Sequence, residues 1–436
     1  MKLIKSDAEL HSFRVNVANA IAHRTMAVAV GRAMFTYGTK NAIITDAWVV
    51  PSIDLSIKLS PSNAVVKSTS SAESTEWPNF HNGVASALSI SPNSTGVDSS
   101  WIVFNKPAVL DASHGGFLLG LGLSGHLRCM QTWHAYPYLE PRHDPTTIGL
   151  LLGLASSFAG SQDSMITKVI SLHTQALLPL GSLELSASPC IQSSALVALG
   201  LLYVGSRSYR MADAALKEVG RRYMSGVDNF TEHQEVYSFS ASMAFGLIML
   251  GQGGQTSNHV EKGMIGQLRR CILGDSDAVA AGRAHVPVER IDTTYSAPGA
   301  TLALGLMFLK TSRKDITDIL VIPQTTFDLD HIRPDLLLIR TLSRALIHWD
   351  EIAPSMAWID AQLPACLRHI HKDHKKVASM GLPNELAYFN VIAGACFAVG
   401  LKYAGTATEF AHTTLMFFFG VFGKATANNS ECSRNG

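Results

Sequence analysis

Apolar stretches of about a dozen residues recur along this chain, separated by segments of mixed polarity. Four of them share an eleven-residue frame with alanine at positions 1 and 4, Gly-Leu at positions 6 and 7 and, in three of the four, glycine at position 11. Such self-similarity is typical of stacked supersecondary units, so it predicts an array of helical repeats. The four frames are ALVALGLLYVG (195–205), ASMAFGLIMLG (241–251), ATLALGLMFLK (300–310) and ACFAVGLKYAG (395–405).

The small residues of the frame predict how the helices pack. At about 100° per residue, positions 1, 4 and 11 fall within roughly 80° of one another, while position 6 projects to the opposite side. Glycine in a helix interior costs about 1 kcal/mol relative to alanine, so its recurrence calls for a packing explanation. We therefore expect buried helices that approach their neighbours closely on two faces.

Looser copies extend the array. VAVGRAMFTYG (28–38) and LLLGLASSFAG (150–160) keep glycine at positions 4 and 11, whereas GGFLLGLGLSG (115–125) and RTLSRALIHWD (340–350) are more divergent. The predicted packing positions are Gly31, Gly38, Gly153, Gly160, Ala195, Ala198, Gly200, Gly205, Ala241, Ala244, Gly246, Gly251, Ala300, Ala303, Gly305, Ala395, Ala398, Gly400 and Gly405.

The intervals between frames predict a second helix in each repeat. From residue 155 onward the frames are spaced 40 to 59 residues apart, which leaves room for another helix and a loop. Ile166, Val169 and Ile170 form a one-sided apolar pattern, as expected of an outer helix. The predicted fold is all-α, an α-solenoid or toroid of paired helices with a small β-containing or irregular insertion.

Changes of composition predict the boundaries. The toroid spans 11–412, and alternating apolar runs with Pro, Ser and Asn at 47–110 predict an inserted segment with one or two strands, to which SWIVFNKP (100–107) is a candidate partner. The polar stretch 252–294 predicts a loop insertion, partly ordered at best. Residues 413–436 are predicted to be an atypical, poorly ordered tail.

Composition excludes several classes of function. The 436 residues are 47% hydrophobic and 16% charged with a net charge of +1, so a large core is expected and no basic surface for nucleic acid is indicated. Six cysteines without a CxxC pair indicate reduced thiols in the cytosol or nucleus. The start of the chain is polar, and the apolar frames are shorter than the roughly 20 residues that span a bilayer, so neither a signal peptide nor a membrane segment is expected.

Four local patterns imitate chemical sites. Gly120, Gly122 and Gly125 form GxGxxG, but without a strand-to-helix unit around it. The imidazoles of RHIHKDHKK could bind zinc or nickel, but no cysteine or ordered set of carboxylates lies nearby, so a solvated basic loop is the simpler interpretation. We predict no metal, no cofactor and no catalytic residue, and hence no enzymatic activity. The histidines of RHIHKDHKK are His369, His371 and His374. The third pattern is the cluster Arg142, His143 and Asp144, and the fourth is the pair Asp350 and Glu351.

The frame AxxAxGLxxxG resembles the proteasome/cyclosome repeat. That repeat occurs in the two large non-ATPase scaffold subunits of the proteasome regulatory particle and in the largest subunit of the anaphase-promoting complex. The segments between the frames, including TTIGLLLGLASSFAGSQDSMITKVISLHTQALLP (146–179) and IRPDLLLIRTLSRALIHWDEIAPS (332–355), resemble the latter over roughly residues 11–411.

The resemblance implies a ring-like, non-catalytic scaffold in a cullin-RING ubiquitin ligase that controls the metaphase/anaphase transition and mitotic exit. It implies as partners the cullin subunit and other platform subunits, and a location in the nucleus and cytoplasm. Two alternatives stay open: a proteasome scaffold, and an enzyme built as an α/α toroid. Family members also carry a β-propeller region before the repeats and further domains after them, so we expect a fragment, a truncated product or a divergent paralogue.

Overall fold

The structure is a computed structural model, which describes residues 7–38, 56–59, 64–67, 72–178, 187–221, 230–255, 259–274, 291–371 and 382–435. The chain divides into two compact units, Met1–Leu202 and Tyr203–Gly436. The described residues are predominantly helical, and the all-α prediction is confirmed.

In the first unit, the helices that carry the apolar frames, here called frame helices, pack side by side as α4 on α6 and α6 on α8, and α2 packs on α4. Shorter helices, among them α3, α5 and α7, lie between them along the chain. The elements are α1 (Asp7–Gly38), β1 (Ser56–Leu59), β2 (Ala64–Lys67), α2 (Ala72–Leu88), α3 (Ser99–Phe104), α4 (Ala112–Leu123), α5 (Thr132–Leu139), α6 (Asp144–Ser157), α7 (Ser164–Ser171) and α8 (Pro189–Leu202).

The second unit repeats this arrangement, with α10 packed on α12, α12 on α15 and α15 on α18. Its elements are α9 (Tyr209–Glu218), α10 (Phe230–Ile248), α11 (His259–Leu273), α12 (Thr293–Met307), α13 (Lys314–Thr317), α14 (Thr326–Asp330), α15 (Pro334–Ile347), α16 (Met356–Gln362), α17 (Ala365–His371), α18 (Leu382–Tyr403) and α19 (Glu409–Asn435).

Aspartates begin several of these helices. The side chain of Asp111 accepts a hydrogen bond from the His114 amide at 2.8 Å, and Asp292 accepts one from the Thr294 amide at 3.0 Å. Asp163 accepts from two amides of α7. A carboxylate at this position satisfies donors that the first turn leaves unpaired and lies at the positive end of the helix dipole.

Within the predicted insertion 47–110, the described residues form a β-hairpin and two helices. β1 and β2 form an antiparallel hairpin in which Ile57 pairs with Val66, as the alternating pattern indicates. The candidate partner SWIVFNKP is not a strand, because Asp98 caps the helix α3 by accepting a hydrogen bond from the Trp101 amide at 2.7 Å. Residues 72–88 and 99–104 therefore belong to the helical array.

Helices also occur in the two other segments for which irregular structure was predicted. Residues 259–273, inside the predicted polar loop 252–294, form α11, with Met264 and Leu268 on its buried side; residues 275–290 lie outside the described part of the chain. The predicted tail 413–436 lies largely in α19, and its Phe418 is fully buried in a cluster with Tyr388 and Ile392. Polar composition concealed α11 because an outer helix needs only one apolar face.

Candidate scaffold interface

Backbone hydrogen bonds join consecutive frames at equivalent positions. The amide at frame position 11 donates to the carbonyl at position 7 of the next frame, and the amide two residues later donates to the carbonyl at position 8. These bonds are Gly160 to Leu201 (3.1 Å), Gly205 to Leu247 (2.9 Å), Gly251 to Leu306 (3.0 Å), Lys310 to Leu346 (3.1 Å), Gln162 to Leu202 (3.2 Å), Arg207 to Ile248 (3.1 Å) and Ser312 to Ile347 (3.0 Å).

The residue at position 11 leaves the helix in a left-handed conformation. Gly205 has φ 67°, Gly251 has 68°, and Lys310 occupies the same region at 62°. The expectation that the terminal glycine shares a helix face with the alanines is therefore wrong, since α8, α10 and α12 end at position 8. A left-handed residue ends a helix by turning its amide away from the axis, and here that amide meets the next repeat.

The frame alanines occupy the closest contacts. All eight are fully buried. A Cβ placed on Gly246 would lie 3.1 Å from the Ala303 Cα, and one on Gly305 would lie 2.9 Å from the Ser343 Cα. In the first unit, a Cβ on Gly153 would lie 2.7 Å from the Leu118 carbonyl oxygen. At these positions glycine allows two helices to approach almost backbone to backbone.

Close packing does not explain every glycine of the pattern. A Cβ on Gly31 or on Gly400 would meet nothing within 4 Å. Gly200 is buried, Gly38 is the last residue of α1, and Gly405 has a left-handed φ of 71°. The same sequence pattern thus serves different contacts in different repeats.

A buried ion pair fixes the connection after α8. Glu261 is fully buried, and its Oε1 accepts hydrogen bonds from Arg207 Nε at 2.9 Å, Arg207 Nη2 at 2.7 Å and Tyr209 Oη at 2.8 Å. These hydrogen bonds raise the pKa of Arg207 above its ordinary value. Arg207 also donates its amide to the next frame, so one residue links two neighbouring segments. The sequence pattern did not indicate that Glu261 is buried, because it lies in a polar stretch.

The GxGxxG pattern does not form a phosphate loop. Gly120 and Gly122 lie inside α4, where a Cβ would collide with Val84 of α2 and with Gly153 of α6, respectively, and Gly125 is a left-handed residue after the helix. These glycines are packing and termination positions. A phosphate loop would instead precede a helix and aim its amides at the ligand.

The Arg142–Asp144 cluster begins α6. His143 is the N-cap, its Nδ1 lies 2.8 Å from Thr146 Oγ1, and Asp144 is the first helical residue rather than the cap itself. Arg142 has a left-handed φ of 53°. This arrangement is a helix start.

Of the two remaining patterns, the structure describes the carboxylate pair. Asp350 and Glu351 lie in a 3-10 turn after α15, where Glu351 Oε1 is 3.2 Å from His348 Nδ1. The side chains of His369, His371 and His374 lie outside the described residues. Among the side chains that the structure describes, no group of three or more His, Cys, Asp or Glu is placed to hold a metal ion.

One described helix, Pro383–Tyr403, has the length and hydropathy of a membrane-spanning segment. A packed core helix meets the same criteria, and Tyr388, Val391 and Ala395 on this helix are fully buried. Length and composition therefore do not separate the two cases for α18.

Two adjacent short helices expose aromatic side chains. Tyr138 Oη of α5 donates to the Ile102 carbonyl of α3 at 3.1 Å, and Lys106 Nζ donates to the Pro137 carbonyl at 2.7 Å, so the two helices are held together. Phe104 is 88% exposed and Trp133 is 63% exposed. We call this the aromatic surface; it consists of Val103, Phe104, Trp133 and Tyr136.

Exposed Trp, Tyr and Phe are common anchors of protein–protein contacts, and large exposed apolar areas mark interaction sites. The sequence pattern did not indicate this surface, because residues 100–107 resemble part of an insertion. The signal available was the pair of aromatic residues Trp133 and Tyr136 at helical spacing.

Comparison with known proteins identifies the family. Residues 2–159 match the model of the APC1 fourth domain, and residues 164–435 match that of the APC1 fifth domain. The second match includes residues 413–435, so nearly all of the segment predicted to be an atypical tail matches the family model. The matches confirm the resemblance to the largest subunit of the anaphase-promoting complex.

Individual relatives agree with this result. The chain is 38% identical over 426 residues to anaphase-promoting complex subunit 1 of Schizosaccharomyces pombe, covering 95% of this chain and 28% of the relative. It is 35% identical to the human protein of that name, covering 92% and 22%. Negative regulator of mitosis from Emericella nidulans is 37% identical, covering 92% and 19%. The chain thus spans between about a fifth and just over a quarter of these relatives.

Proposed function

We propose, since this chain belongs to the APC1 family, that it forms the repeat scaffold of an anaphase-promoting complex subunit and holds other subunits of that complex. The observation that carries the proposal is the match to two consecutive APC1 domains along nearly the whole chain, combined with the hydrogen-bonded stacking of the frames. Stacked repeats provide an extended surface whose parts keep fixed spacing, as a scaffold requires.

The role is non-catalytic. The relatives are named as subunits of a complex, and the described side chains that imitate catalytic groups serve as helix starts and turns. A catalytic site would require a nucleophile or base, an orienting partner and a place for substrate in mutual contact. The alternative of an α/α-toroid enzyme has no such arrangement to support it among the described residues.

The partners are the cullin subunit and other platform subunits, and the complex acts as a ubiquitin ligase at the metaphase/anaphase transition and in mitotic exit, in the nucleus and cytoplasm. The repeat resemblance supports these assignments. The family match favours this complex over the proteasome regulatory particle.

The aromatic surface is one place where a platform subunit docks. Phe104 and Trp133 are both exposed for the larger part of their side chains, and the hydrogen bond from Tyr138 to the Ile102 carbonyl holds their two helices together. Removing a buried aromatic anchor from an interface typically costs 2 kcal/mol or more, which is about thirtyfold in affinity.

The test is reconstitution of the 436-residue chain with purified platform subunits. Phe104→Ala combined with Trp133→Ala should weaken assembly at least about tenfold. Phe327→Ala is the matched control, because Phe327 is 70% exposed but lies in α14. Equal assembly of the double variant and the wild type would remove the aromatic surface from the interface. Failure of the wild-type chain to retain any subunit would contradict the scaffold function itself.

A further inference from the structure

We propose that a cavity in the second unit, here called the arginine cavity, binds the phosphate group of a phosphorylated serine or threonine side chain. The cavity lies between the segment that joins α13 to α14, helix α15, and the pair α16 and α17, and its volume is about 240 Å³. Its cationic side chains are Arg344 and Arg368. The aromatic surface described above belongs to the first unit, so this is a second site.

Helix α15 departs from the other frames at two positions. Frame position 1 is alanine in the four intact frames and is Arg340 in α15. Position 5 is apolar and fully buried in the intact frames and is Arg344 in α15. Packing alone would favour apolar residues at both positions, because a buried charge is costly. The residues at position 5 of the intact frames are Leu199, Phe245, Leu304 and Val399.

Backbone carbonyls orient the two arginines of α15. Arg344 Nη1 donates to the Thr317 carbonyl at 3.1 Å and to the Leu320 carbonyl at 3.3 Å. Arg340 Nη1 donates at 2.9 Å to the carbonyl of Val321, which lines the cavity. Arg340 Nε is buried and has no hydrogen-bond partner among the described residues. The guanidinium groups are therefore held in place with part of their donor capacity unused.

The third arginine is oriented in the same way from the other side of the cavity. Arg368 Nε donates to the Leu363 carbonyl at 2.8 Å, and its Nη2 donates to the Ala361 carbonyl at 2.9 Å. Within the described part of the chain, no acceptor contacts Arg368 Nη1, Arg344 Nε or Arg344 Nη2. These three donors remain for a ligand.

The described residues supply no ion pair to these three arginines. Arg333, by contrast, lies 2.7 Å from the Glu235 carboxylate, and its pKa is raised. Burial lowers the pKa of Arg340 and Arg344, although the more distant Asp318 carboxylate opposes this shift at Arg344. A cation that has lost water without gaining an opposite charge favours the binding of an anion.

Size and chemistry select the ligand. Guanidinium groups bind phosphate oxygens through paired hydrogen bonds, and clusters of arginine are a common means of recognising phosphorylated side chains. Pockets for drug-sized molecules measure about 300–1,000 Å³, so a cavity of about 240 Å³ suits a single side chain. Ile322 and Leu363 also line the cavity and offer apolar contact to the carbons that carry the phosphate.

The probe is N-acetyl-phosphoserine amide, titrated into the 436-residue chain by calorimetry. Binding should be saturable and should weaken as ionic strength rises. It should be at least about tenfold weaker for Arg344→Gln and for Arg368→Gln, because each variant loses a charge-assisted hydrogen bond. Arg313→Gln is the matched control, since Arg313 lies in the same unit but is already paired with Asp315.

Arg368→Gln separates binding from folding. Arg344 also holds the carbonyls of Thr317 and Leu320, so its replacement can reduce stability. Arg368 is exposed, and Arg368→Gln should keep the wild-type urea midpoint while losing affinity for the probe. Modification by phenylglyoxal, followed by mass spectrometry, gives a second readout: the probe should protect Arg344 and Arg368 but not Arg313.

Two further probes separate the sources of the anion. Inorganic phosphate and N-acetyl-glutamate amide should both bind more weakly than the phosphoserine probe, because the first lacks the side-chain carbons and the second lacks the doubly charged phosphate. Equal binding of inorganic phosphate would assign the cavity to free phosphate, and equal binding of the glutamate probe would assign it to an acidic peptide. Either result would overturn the proposal.

Two other results would also overturn it. They are the absence of saturable binding at millimolar phosphoserine probe, and equal affinity of the wild type and Arg368→Gln. All of these measurements use the chain alone, so their failure would leave the scaffold function standing.

Discussion

The Gly205 amide donates a hydrogen bond to the Leu247 carbonyl at 2.9 Å, from a backbone with φ 67°. The conformation and the contact depend on each other, because a right-handed residue would continue the helix and keep its amide along the helix axis. The glycine at frame position 11 is thus the point where one repeat is attached to the next.

Gly205→Ala should destabilise the second unit by about 1 kcal/mol, since alanine must adopt the left-handed region while its Cβ meets nothing within 4 Å. Gly266→Ala in α11 is the control: its Cβ also meets nothing, its backbone is helical, and the variant should gain up to about 1 kcal/mol. Urea unfolding followed by circular dichroism measures both. Shifts of the same sign would contradict the conformational explanation.

Gly305→Ala and Gly400→Ala test packing at the same frame position. The first should destabilise by about 1–3 kcal/mol, because the new Cβ lies 2.9 Å from the Ser343 Cα and the two helices must separate. The second should be neutral or stabilising by up to about 1 kcal/mol in the free chain. Thermal and urea midpoints of unfolding measure both effects. A large loss of stability in Gly400→Ala would mean that the helix face at Gly400 is already covered.

The Arg207–Glu261 pair should be costly to break and inexpensive to replace. Arg207→Met should lower the urea midpoint of unfolding, because it leaves the buried Glu261 carboxylate with Tyr209 as its remaining observed hydrogen-bond donor. Adding Glu261→Leu should recover most of this loss. A double-mutant cycle of unfolding free energies measures the coupling, and additive losses would show that the pair is energetically independent.

His114 should make the first unit sensitive to acid. Burial lowers the pKa of His114 to about 4, opposed by the nearby Asp111 carboxylate, while the ring stacks on Tyr138 at 5.7 Å. Between its ordinary pKa of 6.5 and about 4, the unfolded state binds a proton that the folded state excludes, so stability falls as the pH falls through this window. The full effect is on the order of 3 kcal/mol.

His114→Phe should remove this component, since phenylalanine keeps the ring contacts and has no titrating group. The measurement is the difference in unfolding free energy between neutral pH and pH near 4.5, compared between variant and wild type, because burial also lowers the pKa of His81, His126 and His173. An unchanged pH dependence in the variant would show that His114 titrates normally in the folded chain.

Much of the array was predictable from local pattern. Ala195, Ala241, Ala300 and Ala395 are all fully buried, and the frame helices occur where the apolar runs lie. The reason is physical: burial along a helix follows its 3.6-residue period, and small residues are required wherever two backbones approach.

The tertiary structure alone decided the rest. The sequence pattern predicts that Gly205 lies on a helix face. The helix instead ends at Leu202, which allows the Gly205 amide to donate to the Leu247 carbonyl. Sequence also treated Gly305 and Gly400 as equivalent, although one faces Ser343 and the other has no neighbour within 4 Å. A repeat pattern records which surfaces can pack; which of them are covered depends on the segments that the fold brings beside them.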